Sequence, residues 1–237
     1  MKHSNTWLGF VLALSACSQG APPEAFGENA APVAGPETAP ADKPPGADCD
    51  CHGNHGAPPK VEKVDLTRLD LARAPSRGRA EAAVTMVVFC DFECPYCHRV
   101  QSTLRELEST YGSDLRIVFK QLPLPMHSGA KLAAKASMIA QDQGRFWELH
   151  DLLMKAEKID RPGLDRMAEQ AGLNLRLFAA AMDDPALDAR LDRELEEAAA
   201  VGAKGTPTFL INGRKLTGAQ PREAFAKLID EALGAPL

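Results

Sequence analysis

Aromatic residues, excess basic charge and long apolar runs are all scarce in this chain of 237 residues. Only 5% of the residues are aromatic, and the formal net charge is -5, which excludes a strongly basic nucleic-acid binder. No apolar stretch reaches the roughly 18 residues that a membrane-spanning helix needs. No cysteine follows Cys97, so the rest of the chain has to fold without a disulfide scaffold.

Proline is abundant, but it is concentrated in one part of the chain. Of the 18 prolines, nine lie between Pro22 and Pro59. This uneven distribution divides the sequence into residues 1–16, a proline-rich segment 17–60, and a segment 61–237 with the composition of a folded domain. The last segment is long enough to form one substantial hydrophobic core.

Residues 1–16 have the pattern of a targeting signal. A short basic start precedes the apolar run Trp7–Leu14, which has the length of a signal-peptide core. The sequence Leu14–Cys17 (LSAC) resembles the cleavage site of a bacterial lipoprotein, which predicts that Cys17 becomes a lipid-bearing N-terminus. Ser18, in place of aspartate, favours the outer membrane over the inner one. The alternative is an ordinary secretory signal with a chance cysteine.

Residues 17–60 are rich in alanine, proline and glycine and contain almost no large apolar side chains. Such a composition cannot bury enough apolar surface to fold, so we predict a tether. Its one unusual feature is the sequence CDCHGNH, which contains Cys49, Cys51, His52 and His55. These four side chains could bind zinc or copper, although C-x-C is tighter than the usual C-x2-4-C spacing. A patch without function is the alternative, and we assign no resident metal.

The domain 61–237 alternates between strand and helix patterns. The β-branched run Val84–Cys90 predicts a buried strand, and apolar residues at steps of three and four from Cys97 to Tyr111 predict an amphipathic helix. A second strand is expected over Leu115–Lys120, followed by helices only, over about 128–201. Strands return around the hairpin signal Asn212-Gly213, and a closing helix follows.

The tetrapeptide Cys94-Pro95-Tyr96-Cys97 lies where the first strand gives way to the first helix. With Cys94 at the N-cap position, its sulfur can accept a hydrogen bond from the Cys97 amide, and the helix dipole favours a thiolate. We therefore expect a lowered Cys94 pKa and attack at Cys94, with a shielded Cys97 resolving the mixed disulfide. Half of a zinc site is the alternative.

Four stretches of the domain resemble the DsbA-like thioredoxin-fold oxidoreductases of bacterial envelopes. They are Asp91–Cys97, Leu122–Leu124 with His127, Gly144–Trp147, and Gly205–Thr208. The 113 positions between Cys94 and Pro207 are filled by helices, whereas glutaredoxins, which share CPYC, place the equivalent proline a few dozen residues after it. The resemblance implies an α/β thioredoxin fold with a helical subdomain inserted between the CxxC helix and the cis-proline strand.

The same resemblance implies roles for six residues. It makes Cys94 and Cys97 catalytic, and it assigns substrate binding to Thr206, Pro207, Pro95 and Tyr96, with a cis bond at Thr206-Pro207. DsbA has a histidine where this chain has Tyr96, and that histidine stabilises the thiolate, so the resemblance alone does not fix the oxidising strength.

Several other residues near these motifs have two interpretations each. Asp91 or Glu93 could accept a proton near Cys97, but a solvated loop charge is the interpretation that we favour. Cys90 continues a buried strand and is expected to be a core residue. His98 and His127 are interpreted as surface or capping residues. We expect Phe146 and Trp147 to lie in the core of the helical insertion.

These patterns and the resemblance together predict an envelope thiol–disulfide oxidoreductase that uses Cys94 and Cys97 and acts as a dithiol oxidase. It needs no cofactor beyond that redox-active pair. Its partners would be protein thiols and a membrane redox protein, with the lipid anchor holding it towards the periplasm. A disulfide reductase or isomerase is the alternative within this class, and a copper- or metal-handling thioredoxin-like protein is the alternative outside it.

The lipoprotein signal predicts the chemistry of the mature N-terminus. Mass spectrometry of the protein extracted from membranes should give an N-terminal peptide that begins at Cys17 and carries lipid. Cys17→Ala should leave the signal uncleaved or the protein released from membranes. An unmodified N-terminus at any other residue would remove the lipid anchor from the interpretation.

Overall fold

The computed structural model describes residues 62–234, which form a five-stranded mixed sheet with helices packed on it. The strands are β1 (Ser76–Arg77), β2 (Val84–Cys90), β3 (Leu115–Gln121), β4 (Thr208–Ile211) and β5 (Arg214–Thr217). The α-helices are α1 (Pro95–Tyr111), α2 (Ala130–Asp142), α3 (Phe146–Leu153), α4 (Arg161–Gln170), α5 (Leu175–Met182), α6 (Pro185–Ala200) and α7 (Arg222–Leu233). Two short 3-10 turns lie at Leu66–Arg68 and Gly112–Asp114.

Strand β2 lies at the centre of the sheet, whose order is β1-β3-β2-β4-β5. It pairs in parallel with β3, from Val84 opposite Leu115, and antiparallel with β4, with Phe89 opposite Thr208. Except for one half-buried residue near its start, each of β2 and β3 is buried along its whole length, as expected for strands covered on both faces. The carboxyl end of β2 and the beginning of β4 therefore meet at one edge of the sheet.

Alternate side chains of β2 contribute to two separate apolar cores. Met86, Val88 and Cys90 belong to the larger core, which also contains the buried stripe of α1 and side chains of α7 and the inserted helices. Val87 and Phe89 belong to the smaller core, together with side chains from the end of α6 and the segment before β1. Cys90 thus points to the same face of the sheet as α1.

The predicted helical insertion is confirmed. Helices α2 to α6 occupy residues 130–200, and no strand interrupts that stretch. Helix α2 is the central element: its buried side chains include Ala133, Ala136 and Met138, and it packs against α3, α4, α5 and α6. The α/β thioredoxin fold with an insertion between the CxxC helix and the cis-proline strand is therefore the fold of this chain.

The hairpin between β4 and β5 forms at the predicted dipeptide. Asn212 and Gly213 have φ values of 44° and 83°, the left-handed pair that a tight type I′ turn requires. The Asn212 side chain also accepts a hydrogen bond from the Thr85 amide at 2.8 Å and donates one to the Ala83 carbonyl at 3.0 Å. One turn residue thereby joins the hairpin to the beginning of β2.

At the start of the described residues, Lys63 forms an isolated bridge with Arg214, and the two-residue strand β1 pairs with β3. The signal 1–16 and the tether 17–60, with Cys17, lie outside the described residues. So do the four candidate metal ligands Cys49, Cys51, His52 and His55. Of the helices described, none is both long and apolar enough to cross a membrane.

The hairpin turn gives a test of the fold. A Cβ at Gly213 would lie 2.5 Å from the Val64 carbonyl oxygen, whereas a Cβ at Gly172, whose φ is 75°, meets nothing within 4 Å. Gly172→Ala should therefore cost about 1 kcal/mol for its left-handed backbone, and Gly213→Ala about 3 kcal/mol because a backbone clash is added. If urea unfolding shows that the two substitutions lower the free energy of unfolding equally, the close approach of Gly213 to the Val64 carbonyl oxygen is contradicted.

Candidate active site

Cys94 is the N-cap residue of α1, and Pro95 follows at the first helical position. The loop before it is tight: the Cys94 amide donates to the Asp91 carbonyl at 3.1 Å. Cys94 is 3% exposed, whereas Cys97, one turn into the helix, is completely buried. Pro95 and Tyr96 lie between them on the exposed side, so an incoming molecule meets Cys94 before Cys97.

The Thr206-Pro207 peptide bond is cis, as the resemblance implied. It places the Thr206 carbonyl against the active-site cysteine, and the Cys94 thiol donates a hydrogen bond to that oxygen at 3.4 Å. The hydroxyl of Thr206 is buried and has no hydrogen-bond partner. Thr206 and Pro207 therefore border Cys94 from one side, while Pro95 and the half-exposed Tyr96 ring border it from the other.

The expected lowering of the Cys94 pKa is wrong for this geometry. The sulfur makes no capping hydrogen bond to α1, and its hydrogen bond with the Cys97 sulfur, followed by burial, raises the pKa of Cys94. The Thr206 side chain and the Cys97 amide lie close enough to lower the pKa of Cys94, but neither makes a full hydrogen bond with the sulfur and their effect does not prevail. Burial, and then a hydrogen bond with Cys90, raise the pKa of Cys97. The reduced pair is thus held as two thiols.

Asp91 is not a solvated loop charge, and that interpretation is corrected. It is 1% exposed, and its carboxylate accepts hydrogen bonds from the Glu93 amide (2.8 Å), the Leu124 amide (2.7 Å) and His127 Nδ1 (2.7 Å). Its own amide donates to the Cys97 sulfur at 3.5 Å. A buried carboxylate requires such partners, because desolvation without them would be costly.

His127 is more than the expected surface residue. Its hydrogen bond to Asp91 raises the pKa of the imidazole, and the charges of Cys94 and Glu93 act in the same direction. His127 is therefore paired with the buried Asp91, and Cys94 is among the groups that act on its pKa. The signal available in the sequence was the position of His127 just after Leu122–Leu124, but only the fold shows its partner.

The remaining flagged residues have structural contacts. Glu93 accepts a hydrogen bond from the Gly129 amide at 2.6 Å, so it ties the CxxC loop to the start of α2. A ring nitrogen of His98 lies 2.5 Å from the Phe92 carbonyl oxygen. Phe146 is buried and Trp147 half-buried beside it, which confirms the core assignment for Phe146.

Within residues 62–234, no group of three or more His, Cys, Asp and Glu side chains is arranged to hold a metal ion. The metal-handling alternative depends on the CDCHGNH sequence, which lies outside the described residues.

Comparison with known proteins places the chain. A family model described as thioredoxin matches residues 72–231. The chain belongs to the thioredoxin family. A solved structure of a thioredoxin-like oxidoreductase from Silicibacter pomeroyi is 28% identical, has a TM-score of 0.63, and aligns over 69% of this chain and 94% of its own. The thiol-disulfide exchange protein alpha-DsbA2 from Wolbachia pipientis shares the fold, at 19% identity, TM-score 0.61, and coverage of 70% and 90%.

Curated proteins similar to this chain include a different kind of relative. This chain is 38% identical over 175 residues to a Na(+)/H(+) antiporter NhaA 3 from Salinispora tropica. The matched region covers 73% of this chain but 27% of that protein. The chain thus spans about a quarter of the length of that relative. The thioredoxin fold that the DsbA-like resemblance implied is confirmed by the family model and by the solved structures.

The Asp91–His127 hydrogen bond generates a pH-dependent prediction. Because the folded state raises the His127 pKa above 6.5, the stability from this pair is fully present below pH 6.5 and is lost as pH rises through the raised pKa. We expect His127→Asn to cost on the order of 1 kcal/mol at pH 6 and less at pH 9. Urea unfolding at both values measures this.

The same substitution in an Asp91→Asn background is the control. There the histidine has no carboxylate partner, so its cost should not change between the two pH values. If His127→Asn lowers the free energy of unfolding equally at pH 6 and pH 9 when Asp91 is present, the charged hydrogen bond does not contribute to stability.

Proposed function

We propose that this protein exchanges disulfides with protein thiols through Cys94 and Cys97, acting as a dithiol oxidase. The observation that supports this best is the position of Cys94, held at a helix N-terminus against the cis Thr206-Pro207 loop with Cys97 buried behind it. This arrangement places the Cys94 sulfur where an incoming thiolate meets it first and leaves the Cys97 sulfur as the group released in the first step.

The oxidase reaction starts from the Cys94–Cys97 disulfide. A substrate thiolate attacks the Cys94 sulfur, which forms a mixed disulfide and releases Cys97 as a thiolate. A second substrate thiolate attacks the substrate sulfur of that bond, which forms the substrate disulfide and releases Cys94. Two electrons pass from the substrate to the cysteine pair, and a redox partner must accept them before the next cycle.

Residues around the pair have separate parts in this reaction. The Asp91 amide, 3.5 Å from the Cys97 sulfur, stabilises the thiolate released in the first step. The Thr206 hydroxyl, unpaired and buried, and the positive charge of His127 favour the Cys94 thiolate released in the second. The backbone of the Thr206 loop, the Pro95 ring and the Tyr96 ring form the surface for an extended substrate segment.

Disulfide reduction or isomerisation is the second candidate, and one observation favours it. The net raised pKa of Cys94 means that the reduced pair is not strongly stabilised as a thiolate, and a strong oxidant depends on such stabilisation. The positive charge of His127 acts against this. The direction of exchange therefore depends on the balance between sulfur burial and the charge beside it.

The proposed setting is the cell envelope. The apolar run Trp7–Leu14 with Cys17 supports a lipid-anchored protein facing the periplasm, from the outer membrane in preference to the inner. An oxidising compartment suits a dithiol oxidase. Protein thiols would be its substrates, and a membrane protein would reoxidise it.

The reduction potential of the Cys94–Cys97 pair tests the direction. We expect a value closer to about -120 mV than to about -270 mV, which are typical of a strong oxidant and of a reductase. Equilibration with glutathione buffers, read by alkylation and mass, measures it. A value near about -270 mV would contradict the oxidase and support a disulfide reductase instead.

Serine variants test the mechanism separately. Cys94→Ser should abolish oxidation of a reduced peptide, because no mixed disulfide can form. Cys97→Ser should also lose turnover, because no Cys94–Cys97 disulfide can form. When it is given a peptide disulfide, its Cys94 thiolate should attack that bond, release one peptide thiolate and accumulate as a mixed disulfide, because no second thiol is present to attack Cys94. Full activity of Cys94→Ser would eliminate the proposed mechanism.

A further inference from the structure

Cys90 is a buried thiol that the proposed reaction does not use. It is the last residue of β2, is 1% exposed, and points to the face of the sheet on which α1 lies. Cys97 lies on the buried stripe of α1 and is 0% exposed. Because Cys90 and Cys97 belong to the same core, the end of the strand and the beginning of the helix bring a third sulfur to the active site.

Cys97 has a sulfur neighbour on each side. Its side chain makes hydrogen bonds with both Cys90 and Cys94, whereas the contacts that act on Cys94 include Cys97 but not Cys90. The Asp91 amide, which belongs to the peptide immediately after Cys90, lies 3.5 Å from the Cys97 sulfur. This contact holds the Cys97 sulfur against the end of β2. The three sulfurs are therefore ordered Cys94, Cys97, Cys90, with Cys97 in the middle.

From this order we propose that Cys90 is a third redox-active cysteine, which exchanges with the active-site disulfide to form a buried Cys90–Cys97 bond. The proposal rests on the proposed function, since it starts from the Cys94–Cys97 disulfide. Cys97 is the sulfur of that disulfide with which Cys90 makes contact, so attack by Cys90 would break the Cys94–Cys97 bond and release Cys94.

The exchange conserves electrons and protons. The Cys90 sulfur, as a thiolate, attacks the Cys97 sulfur; the Cys90–Cys97 bond forms, the Cys94–Cys97 bond breaks, and Cys94 leaves as a thiolate. The proton lost from Cys90 balances the one that Cys94 takes up. No external oxidant or reductant is consumed, because one disulfide and one thiol are present before and after.

The cavity that Cys90 lines also contains a proton acceptor. Cys90 and His150 line the same small cavity, and burial lowers the pKa of the imidazole, which keeps it neutral. Its Nδ1 lies 2.8 Å from an Asp151 carboxylate oxygen and so carries the proton of that hydrogen bond, which leaves the lone pair on Nε2. The other charged side chains that line this cavity are Arg77, Arg105 and Glu108.

The consequence concerns what the exposed cysteine can do. With the bond between Cys90 and Cys97, Cys94 is a free thiol at the substrate surface, although the protein as a whole remains oxidised. A thiol at that position can attack a wrong disulfide in a substrate, whereas a disulfide there can only accept electrons. The internal exchange would let one oxidised protein both accept electrons from substrate thiols and attack wrong disulfides in substrates.

The test traps the free Cys94 in the full-length oxidised protein. The protein is oxidised with glutathione disulfide, desalted, incubated with iodoacetamide under native conditions, then denatured and treated with N-ethylmaleimide. Unreduced digestion with trypsin and a glutamate-specific protease cuts after Glu93 and Arg99, so Cys90 is separated from Cys94 and Cys97. Mass spectrometry then reads which sulfurs are joined.

The proposal predicts a cross-linked product that grows with incubation time. In it, iodoacetamide labels Cys94, and a disulfide joins the peptide of Cys97 to that of Cys90; alkylation of Cys94 makes the exchange irreversible, so this product should come to dominate. If only the Cys94–Cys97 fragment is found after prolonged incubation, with maleimide on Cys90, then Cys90 is a static core thiol and the proposal is overturned.

Two variants complete the test. Cys90→Ser, or Cys90→Ala if serine unfolds the core, should show no iodoacetamide on Cys94 in the oxidised protein. Cys94→Ser should form the Cys90–Cys97 linked peptides directly on oxidation, and their absence would count against the proposal. Oxidation of a reduced peptide by the wild type judges the proposed function separately, because that assay does not require the Cys90–Cys97 product.

Discussion

The site depends on one long-range contact, the hydrogen bond from the Cys94 thiol to the Thr206 carbonyl, between residues 112 positions apart. The central sheet makes this contact possible. Antiparallel pairing of β2 with β4 sets Phe89 opposite Thr208, so the loop after β2 and the loop before β4 leave the same edge. The cis Thr206-Pro207 bond then turns the carbonyl towards the cysteine. Strand register, more than any feature of the CPYC sequence, decides what the reactive sulfur faces.

A second constraint follows from burying a carboxylate behind this contact. Asp91 is satisfied by two amides and by His127, which lies 36 positions away at the entry to the helical insertion. Glu93 makes a parallel connection to the Gly129 amide. The insertion is therefore attached to the active-site loop by two acidic side chains. A shift of the inserted helices would change both the hydration of Asp91 and the charge that reaches Cys94.

Local sequence patterns predict much of this fold but little of its electrostatics. The apolar strand of β2, the stripe of α1 and the Asn212-Gly213 turn are set by residues adjacent in sequence, and each formed as expected. The burial of Asp91 and the partner of the Cys94 thiol are not local properties, because they depend on neighbours from distant loops. The loop looked solvated because its sequence contains two acids; packing by the insertion is what removed the solvent.

These constraints have different effects on the sulfurs of the pair. Burial raises the pKa of Cys97, and its contacts are with sulfur and a backbone amide. The Cys97 thiolate therefore forms mainly when the Cys94–Cys97 bond breaks and releases it. Cys94 differs because the Thr206 loop and the His127 charge can favour its thiolate once the hydrogen bond with Cys97 is broken. That hydrogen bond is lost when the Cys97 sulfur forms a bond to another group. The chemistry of Cys94 is therefore controlled by the bonding of Cys97, and any group that competes for the Cys97 sulfur also changes how Cys94 behaves.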